Sequence, residues 1–208
     1  MEQSPAPLSI PFESQADRRR AQLIRTAALL IESEGIENLS MAAVARAAGC
    51  TRQVVHSYFA RREDLLRAVL VDFHKVLRRK LAALDELVKD PTAFDPEQLA
   101  TWGVHVRDAA WDLLEEEGMA GLILMAAPPA NPSVKQPLDQ LRRPLIDEWM
   151  SYIAPMVPAK LDAEMIIELW IATFHRLAVK WRTGDLTRAE GIALLKRYSE
   201  SLLLAFAP

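Results

Sequence analysis

The chain has 208 residues, of which 50% are apolar and 25% charged, a composition typical of a globular protein with enough apolar side chains for a core. No run of about 18 uncharged apolar residues occurs, which excludes a predicted membrane-spanning helix. Residues 1–12 lack the basic and apolar segments of a signal peptide, and the single cysteine, Cys50, excludes an internal disulfide framework. We therefore expect a cytoplasmic protein with no membrane contact, no structural metal and no cofactor.

Charge is divided unevenly along the chain. Residues 1–80 carry a net charge of +4 and residues 81–208 carry −7, which together give the overall −3. A basic N-terminal part suggests a module that binds a polyanion such as nucleic acid. A difference of this size also arises by chance, so charge by itself leaves both interpretations open.

Apolar residues recur at helical spacing almost throughout the chain, and no strand pattern or repeat is found. We therefore predict an all-α fold of about nine helices. Gly35 is a natural stop for the first helix, and Pro144 predicts a kink or a break in the seventh. The predicted helices are 18–34, 40–48, 51–58, 62–87, 95–117, 120–127, 135–153, 161–181 and 186–206.

The second and third predicted helices have the pattern of a helix-turn-helix. Ser40 and Thr51 suit the two N-cap positions, because a hydroxyl can accept a hydrogen bond from the first helical turn. Ala48-Gly49 lets the helices approach closely at the turn, and Val55 and Phe59 face inward. The second helix of such a unit enters the major groove of DNA.

Polar side chains on the outer side of this second helix can contact DNA. Arg52 can bind guanine through two hydrogen bonds, and Gln53 can do the same with adenine. Thr51, Tyr58 and Arg62 suit phosphate contacts, so Arg62→Ala is expected to weaken binding to every sequence. The candidate DNA-binding residues are Ser40, Thr51, Arg52, Gln53, Val54, His56, Ser57, Tyr58 and Arg62.

Two neighbouring features have more than one interpretation. Arg18-Arg19-Arg20 is either a solvated helix start or an arm that touches phosphates or the minor groove. Cys50 is either a redox-sensitive thiol or a small apolar residue that fills the space after the turn. Nothing in the sequence indicates a lowered thiol pKa, which favours the packing role.

Residues 40–66, SMAAVARAAGCTRQVVHSYFARREDLL, resemble the DNA-binding domain of TetR/AcrR-type bacterial transcription regulators. The resemblance covers about residues 17–68. Ala48-Gly49, Thr51 and Tyr58-Phe59 stand at the family spacing without a gap. The rest of the chain matches that family only in its helical layout.

The resemblance implies a domain organisation and a function. A helix-turn-helix DNA-binding domain at 17–62 would follow an arm at 1–16, which we predict to be disordered, and precede an effector-binding and dimerisation domain at 63–208. The implied protein is a homodimeric repressor that a small-molecule effector releases from a palindromic double-stranded DNA operator. Its half-sites would lie one helical turn, roughly 34–36 Å, or a multiple of that apart.

The chain departs from the family pattern at several positions of the motif. Gln53-Val54 replaces a common Gly-Thr, which predicts a different base preference. His56 stands where Tyr is common, so that contact is lost or becomes pH-sensitive. Ala60-Arg61 replaces Pro-Ser, and Arg62 keeps the charge of the usual Lys.

The five tryptophans all lie beyond residue 100, as do most of the methionines. Most of these side chains must pack in a core, but some can line an apolar pocket between helices. Such a pocket predicts an apolar or aromatic effector, and tryptophan could also bind a cationic one. The candidate effector-binding residues are Trp102, His105, Val106, Met125, Trp149 and Phe174.

The last two predicted helices are apolar over a wide arc, and such a helix needs packing partners on two sides. A four-helix bundle formed by two protomers would supply them, and the resemblance implies that arrangement. The candidate dimer-interface residues are Leu169, Trp170, Leu177, Leu195 and Leu202.

The alternative to a DNA-binding regulator is a small-molecule-binding protein or an enzyme with a vestigial helix-turn-helix. The chain contains no HExxH, CxxC or glycine-rich phosphate loop and no recognisable Ser/His/Asp set. A His105–Glu115 pair could do acid–base chemistry, although nothing in the sequence marks it. We therefore predict a regulator that is not an enzyme.

Overall fold

The computed structural model describes residues 14–85, 96–126, 132–154 and 160–205; within these ranges it leaves out the side chains of 83–85, 96–103, 132–135, 152–153, 160–162 and 202–205. Nine α-helices and one 3-10 helix are found in these ranges, with no strand, so the predicted all-α class is confirmed. The helices are α1 (Gln15–Glu34), α2 (Met41–Ala47), α3 (Arg52–Tyr58), α4 (Arg62–Asp85), α5 (Pro96–Glu117), α6 (Ala120–Ala126), α7 (Pro132–Ile153), α8 (Lys160–Arg182) and α9 (Arg188–Ala205), with the 3-10 helix at Ile36–Asn38.

The first helix begins earlier than predicted because of a capping box. The backbone N–H of Asp17 donates to the Ser14 hydroxyl at 3.1 Å, and the backbone N–H of Ser14 donates to the Asp17 carboxylate at 3.2 Å. The Ser14 hydroxyl, which donates to the Asp17 carboxylate at 2.6 Å, and the Ser14 backbone N–H lower the pKa of Asp17. The last two residues of the arm predicted at 1–16 are therefore helical, while residues 1–13 lie outside the description.

Of the kink or break predicted at Pro144, the break is not found, because α7 continues as one helix through both Pro137 and Pro144. Each proline removes one backbone hydrogen bond. Pro144 is exposed, whereas the nearby Leu138 and Leu141 are buried. The packing of these leucines holds α7 together across the prolines, since tertiary packing supplies most helical stability.

The buried side chains form two main clusters. The first, called here the module core, joins α1–α4 with parts of α6 and α7 and includes Leu23, Ile31, Val44, Val55, Phe59 and Leu65. The second, called here the body core, joins α5, α8 and α9 and includes Trp111, Leu114, Phe174 and Leu195. Helix α6 places Leu124 in the module core and Leu122 in the body core, so it links the two. The module core therefore continues past residue 62, where the sequence predicts a domain boundary. The boundary itself stays a prediction.

Five aromatic rings form a continuous row through the body. Trp111 is fully buried and packs edge-to-face against Phe174 and Trp181, with ring centroids 5.2 and 5.6 Å away. Trp170 lies 5.2 Å from Phe174 and stacks on Trp149 at 6.4 Å. Edge-to-face and offset pairs at such distances are favoured by the charge distribution of aromatic rings. We call this row the aromatic ladder.

Candidate nucleic-acid interface

Both helices of the helix-turn-helix begin at a hydroxyl cap, as the sequence predicts. The Ser40 hydroxyl accepts a hydrogen bond from the backbone N–H of Ala43 at 3.1 Å. The Thr51 hydroxyl accepts one from the backbone N–H of Val54 at 3.3 Å. Each hydroxyl accepts in its cap and keeps its own O–H for donation, for instance to a phosphate.

The turn between α2 and α3 depends on glycine. Gly49 has φ +63°, a left-handed backbone conformation that side chains other than glycine rarely adopt. The backbone N–H of Cys50 donates to the carbonyl of Ala45 at 2.9 Å and closes the turn. The half-buried Cys50 packs against the module core, which supports its interpretation as a packing residue.

The two sides of α3 have opposite environments. Val55 is fully buried, and Phe59 at the end of the helix is nearly so, which confirms their predicted inward orientation. Val54 and Tyr58 are half-buried. The exposed candidates are Thr51, Arg52, Gln53, His56 and Ser57. Their contacts with DNA stay predictions.

His56 orients Arg52 on the exposed side of α3. The Arg52 Nε–H donates to His56 Nε2 at 3.2 Å, and His56 Nδ1 lies 3.3 Å from the carbonyl oxygen of Ala60. A carbonyl only accepts, so Nδ1 carries the hydrogen and Nε2 offers the lone pair. The two terminal nitrogens of Arg52 remain to bind a base edge. The i,i+4 spacing of the two residues is the sequence signal that would have revealed this pair.

Arg62 has a structural role that the sequence analysis did not predict. Its Nε–H donates to the carbonyl of Leu39 at 2.7 Å, and its Nη2 donates to the carbonyl of Ile36. The half-buried guanidinium thus anchors the start of α4 on the segment that leads into α2, and these bonds use two of the five N–H donors of arginine. The phosphate contact predicted for Arg62 stays a prediction. The neighbouring Arg61, whose side chain is 73% exposed and lies 3.7 Å from Asp64, is better placed for a phosphate.

Arginines at the start of α1 lie close to α3. The guanidinium of Arg20 lies over the ring of Phe59, 5.2 Å from its centroid. Because Phe59 is the C-cap of α3, this contact brings a positive charge beside that helix. Arg19 donates to the side-chain oxygen of Gln22 at 2.8 Å. Both interpretations of Arg18-Arg19-Arg20 stay open.

A half-buried glutamate, which the sequence analysis missed, connects α1 to the body. One oxygen of Glu32 accepts hydrogen bonds from the backbone N–H groups of Met119, at 2.7 Å, and Ala120, at 3.2 Å. The other oxygen lies 3.3 Å from Arg182 on α8. Gly118 has φ +79°, and a Cβ there would lie 2.2 Å from the Glu32 carboxylate. We call this three-helix contact the Glu32 joint.

Three of the six effector-binding candidates lie in one connected region. Val106 is buried among Leu77, Leu81 and Leu113, and Trp149 and Trp170 pack against this group. Phe174 is buried next to Trp170 in the aromatic ladder, and Trp149 stacks on the other side of Trp170. The structure therefore brings together Val106, Trp149 and Phe174.

The structure does not bring the other three candidates to that region. His105 is exposed. Met125 is half-buried and packs on the module core instead. The side chain of Trp102 lies outside the described residues.

The predicted interface residues also divide into two groups. Leu169 is 38% exposed, as an interface residue of a free protomer should be. The prediction for Leu195 is wrong, because its side chain is fully buried inside its own protomer. Trp170 packs in the aromatic ladder, and the half-buried Leu177 packs on the body core. The side chain of Leu202 lies outside the described residues.

The described part of the chain lacks the features of a membrane-spanning protein and of a metal site. Where the chain is described, no helix is long and apolar enough to cross a membrane, and no cluster of His, Cys, Asp and Glu could hold a metal ion. His105 and Glu115 are both exposed, and no contact joins them in this part of the chain.

Known proteins share both the motif and the fold. Residues 23–69, which run from α1 into α4, match the family model of "Bacterial regulatory proteins, tetR family". The "HTH-type transcriptional regulator EthR" of Mycobacterium tuberculosis is 24% identical over 146 residues, which are 70% of this chain. The match spans 63% of the length of EthR.

Solved structures extend the likeness to the whole fold. A putative TetR-family transcriptional regulator from Syntrophomonas wolfei has a TM-score of 0.68 at 17% identity, over 91% of this chain and 97% of that one. The multidrug binding protein EbrR, solved with imidazole, has a TM-score of 0.59 at 17% identity, over 96% and 97% of the two chains. At these identities the structures show the fold. The chain is therefore similar to TetR-family bacterial transcriptional regulators in its helix-turn-helix motif, in the family match over residues 23–69 and in its whole fold.

Proposed function

We propose that the chain is a homodimeric repressor that binds a palindromic DNA operator and releases it when a small molecule binds the body. The observation that carries the proposal is the recognition helix α3, with Arg52, Gln53, His56 and Ser57 exposed opposite the buried Val55. Polar side chains presented on one side of an anchored helix suit base readout in the major groove. Binding to an operator also implies that the protein acts in the cytoplasm.

Base readout and phosphate contact are assigned to different residues. Gln53 reads adenine, and Arg52, held by His56, reads guanine; such two-bond contacts contribute about 1–3 kcal/mol of discrimination each. Phosphates are bound by the cap hydroxyls of Ser40 and Thr51 and by Arg61, which position the helix without reading sequence. Tyr58 keeps its predicted phosphate role.

Dimerisation supplies the second recognition helix. The free protomer exposes large apolar side chains on α8 and α9: Met165 by 41%, Leu169 by 38% and Leu194 by 36%. Two copies related by a two-fold axis would bury these residues against each other. The two recognition helices would then meet half-sites roughly 34–36 Å apart, or a multiple of that distance.

Effector binding is coupled to DNA binding through α6 and the Glu32 joint. Helix α6 contributes to both cores, so a shift of the body core moves α6 against α1 and α4. A coupling free energy of about 1–3 kcal/mol, which is typical of such linkage, would lower operator affinity roughly 5–150-fold. EbrR, which has this fold and was solved with imidazole, supports the binding of a small molecule in the body.

The experiment is a selection of genomic DNA fragments by the purified protein at about 0.15 M salt. We expect enrichment of a near-palindromic site. Gln53→Ala should change the preferred base at one position in each half-site, and His56→Phe should relax the guanine preference. Arg61→Ala should weaken binding to all sequences alike and reduce the dependence on salt.

Two outcomes would contradict the proposal. Equal losses on every sequence for Gln53→Ala and Arg61→Ala would refute the assigned roles. No enrichment over random DNA, repeated after the protein is unfolded and refolded to remove any bound ligand, would favour a small-molecule-binding protein with a vestigial helix-turn-helix.

A further inference from the structure

Two arginines are buried in the described part of the chain, and they differ in their hydrogen bonds. Arg142 is 9% exposed, donates from Nε to the carbonyl of Leu124 at 2.5 Å and lies 3.7 Å from Asp139. Arg107 is 6% exposed, and its Nε is buried with no hydrogen-bond partner in the described chain. Burial lowers the pKa of Arg107, although the charges of Asp108 and Glu200 partly oppose the shift.

Arg107 lies next to the aromatic ladder. It precedes Trp111 by one helical turn on α5, so both residues lie on the side of α5 that packs against α9. On α9, Glu200 is the carboxylate that acts on Arg107, and the adjacent Ser199 accepts a hydrogen bond from Trp170 Nε1 at 3.2 Å. Arg107 and Trp170 therefore approach the same turn of α9 from two different helices.

A buried Nε–H without a hydrogen-bond partner is costly, because the donor loses water and gains nothing in return. A guanidinium left in this state is expected where something from outside the chain completes its hydrogen bonds. A second protomer is excluded as that partner, because Arg107 is covered by its own protomer. A cationic ligand would be repelled. A carboxylate is the complementary group, since it accepts two parallel hydrogen bonds from guanidinium.

We propose that Arg107 binds the anionic group of the effector, and that the effector is a small molecule with a carboxylate and an apolar part. The apolar part would lie against Trp170 and Trp149 of the aromatic ladder. This inference rests on the proposed function, because it assigns a ligand class to the same effector-binding body. Tryptophans by themselves allow an apolar or a cationic effector. The inference about Arg107 favours an anionic effector over a cationic one.

The test compares three probes with the same apolar chain: decanoate, 1-decanol and decylamine. Binding to the full-length protein is followed by quenching of tryptophan fluorescence, because two rings of the ladder would contact the chain. Decanoate should bind about 10- to 100-fold more tightly than 1-decanol, the gain expected from a charged hydrogen-bonded pair. Decylamine should bind more weakly than either.

Three variants show whether Arg107 causes the preference. Arg107→Met should remove the preference for decanoate, and Arg107→Lys should keep part of it. Arg142→Met, the matched control, should keep it in full. Thermal unfolding of the ligand-free proteins adds a readout that needs no probe. Arg107→Met should be at least as stable as the wild type, whereas Arg142→Met should be less stable because its partners are left unpaired.

Several results would overturn the inference. They are equal affinity for decanoate and 1-decanol, no binding of decanoate, or a preference that survives Arg107→Met. A stability loss in Arg107→Met as large as that in Arg142→Met would show that the guanidinium has partners inside the protein. Decanoate that binds through Arg107 without weakening operator binding would leave this inference standing and contradict the proposed release.

Discussion

The outer side of the helix-turn-helix and the contacts between helices of the body use polar groups at different distances along the chain. In the module, Ser40 and Thr51 each bond a backbone N–H three residues away, and Arg52 bonds His56 four residues away. In the body, Trp170 bonds Ser199, 29 residues away. The difference shows that the recognition surface is organised largely by local interactions, whereas the effector-binding body depends on which helices pack together.

This contrast predicts that substitutions in the body and in the module affect different properties of the protein. A change in the body should lower stability without altering base preference, and a change on the outer side of α3 should do the reverse. Residues at the contacts between them should affect both stability and the response to an effector.

The largest expected effect is that of Trp111→Ala in the body. Trp111 is fully buried, packs on Phe174 and Trp181, and faces Gly191, where a Cβ would lie 2.7 Å from the indole. Deleting the ring should lower the free energy of unfolding by about 3–5 kcal/mol, measured by urea unfolding. The protein that remains folded should select the same operator. A changed base preference would show that the body shapes the recognition surface directly.

A smaller effect is expected at the start of α4, where adjacent arginines have different environments. Arg62→Met should lower the free energy of unfolding by about 1.5–3 kcal/mol, because the carbonyls of Leu39 and Ile36 lose a charged donor. Arg61→Met, its control, should change stability by less than about 0.5 kcal/mol and reduce the salt dependence of DNA binding. The opposite pattern would support the phosphate role first predicted for Arg62.

Glu32→Gln in the Glu32 joint should lower the free energy of unfolding by about 1 kcal/mol, because the charge at the start of α6 and the ion pair with Arg182 disappear. Arg182→Met removes only the half-exposed ion pair, so it should cost less than about 0.5 kcal/mol. If Glu32 couples effector binding to DNA binding, a bound effector should change operator affinity less in Glu32→Gln than in the wild type. An unchanged effector response would limit the joint to a structural role.

The smallest effect concerns pH and the contact between α4 and α7. Burial lowers the pKa of His74 below 6.5 more than Glu148, 3.1 Å away, raises it, and Arg78 adds to the lowering. His175 shifts in the same direction through burial and Arg176. Between the folded pKa and the unfolded value near 6.5, the unfolded state binds more protons, so stability should fall as the pH drops through this window. The urea midpoint should therefore fall less between pH 7 and pH 5 in His74→Gln than in the wild type; identical pH dependence would contradict this assignment.

The accuracy of the sequence predictions follows the same division. The caps at Ser40 and Thr51, the inward Val55 and the all-α class are confirmed, because each depends on residues within one or two helical turns. The start of α1 at Gln15, capped by Ser14, also rests on a local signal, the capping box. Leu195 was misassigned to a dimer interface because hydrophobic periodicity shows that a side is apolar and does not show which helix covers it.

The helical class, the helix-turn-helix and the exposed polar side of α3 follow from the sequence, because caps, glycine turns and periodicity act between near neighbours. The tertiary structure is needed to show that Arg62 bonds carbonyls 23 and 26 residues away and that Glu32 meets the start of α6. It is also needed to show that Arg107 is buried beside the aromatic ladder. Burial and charge pairing depend on helices that are distant in sequence, and their arrangement is set by the packing of the whole chain.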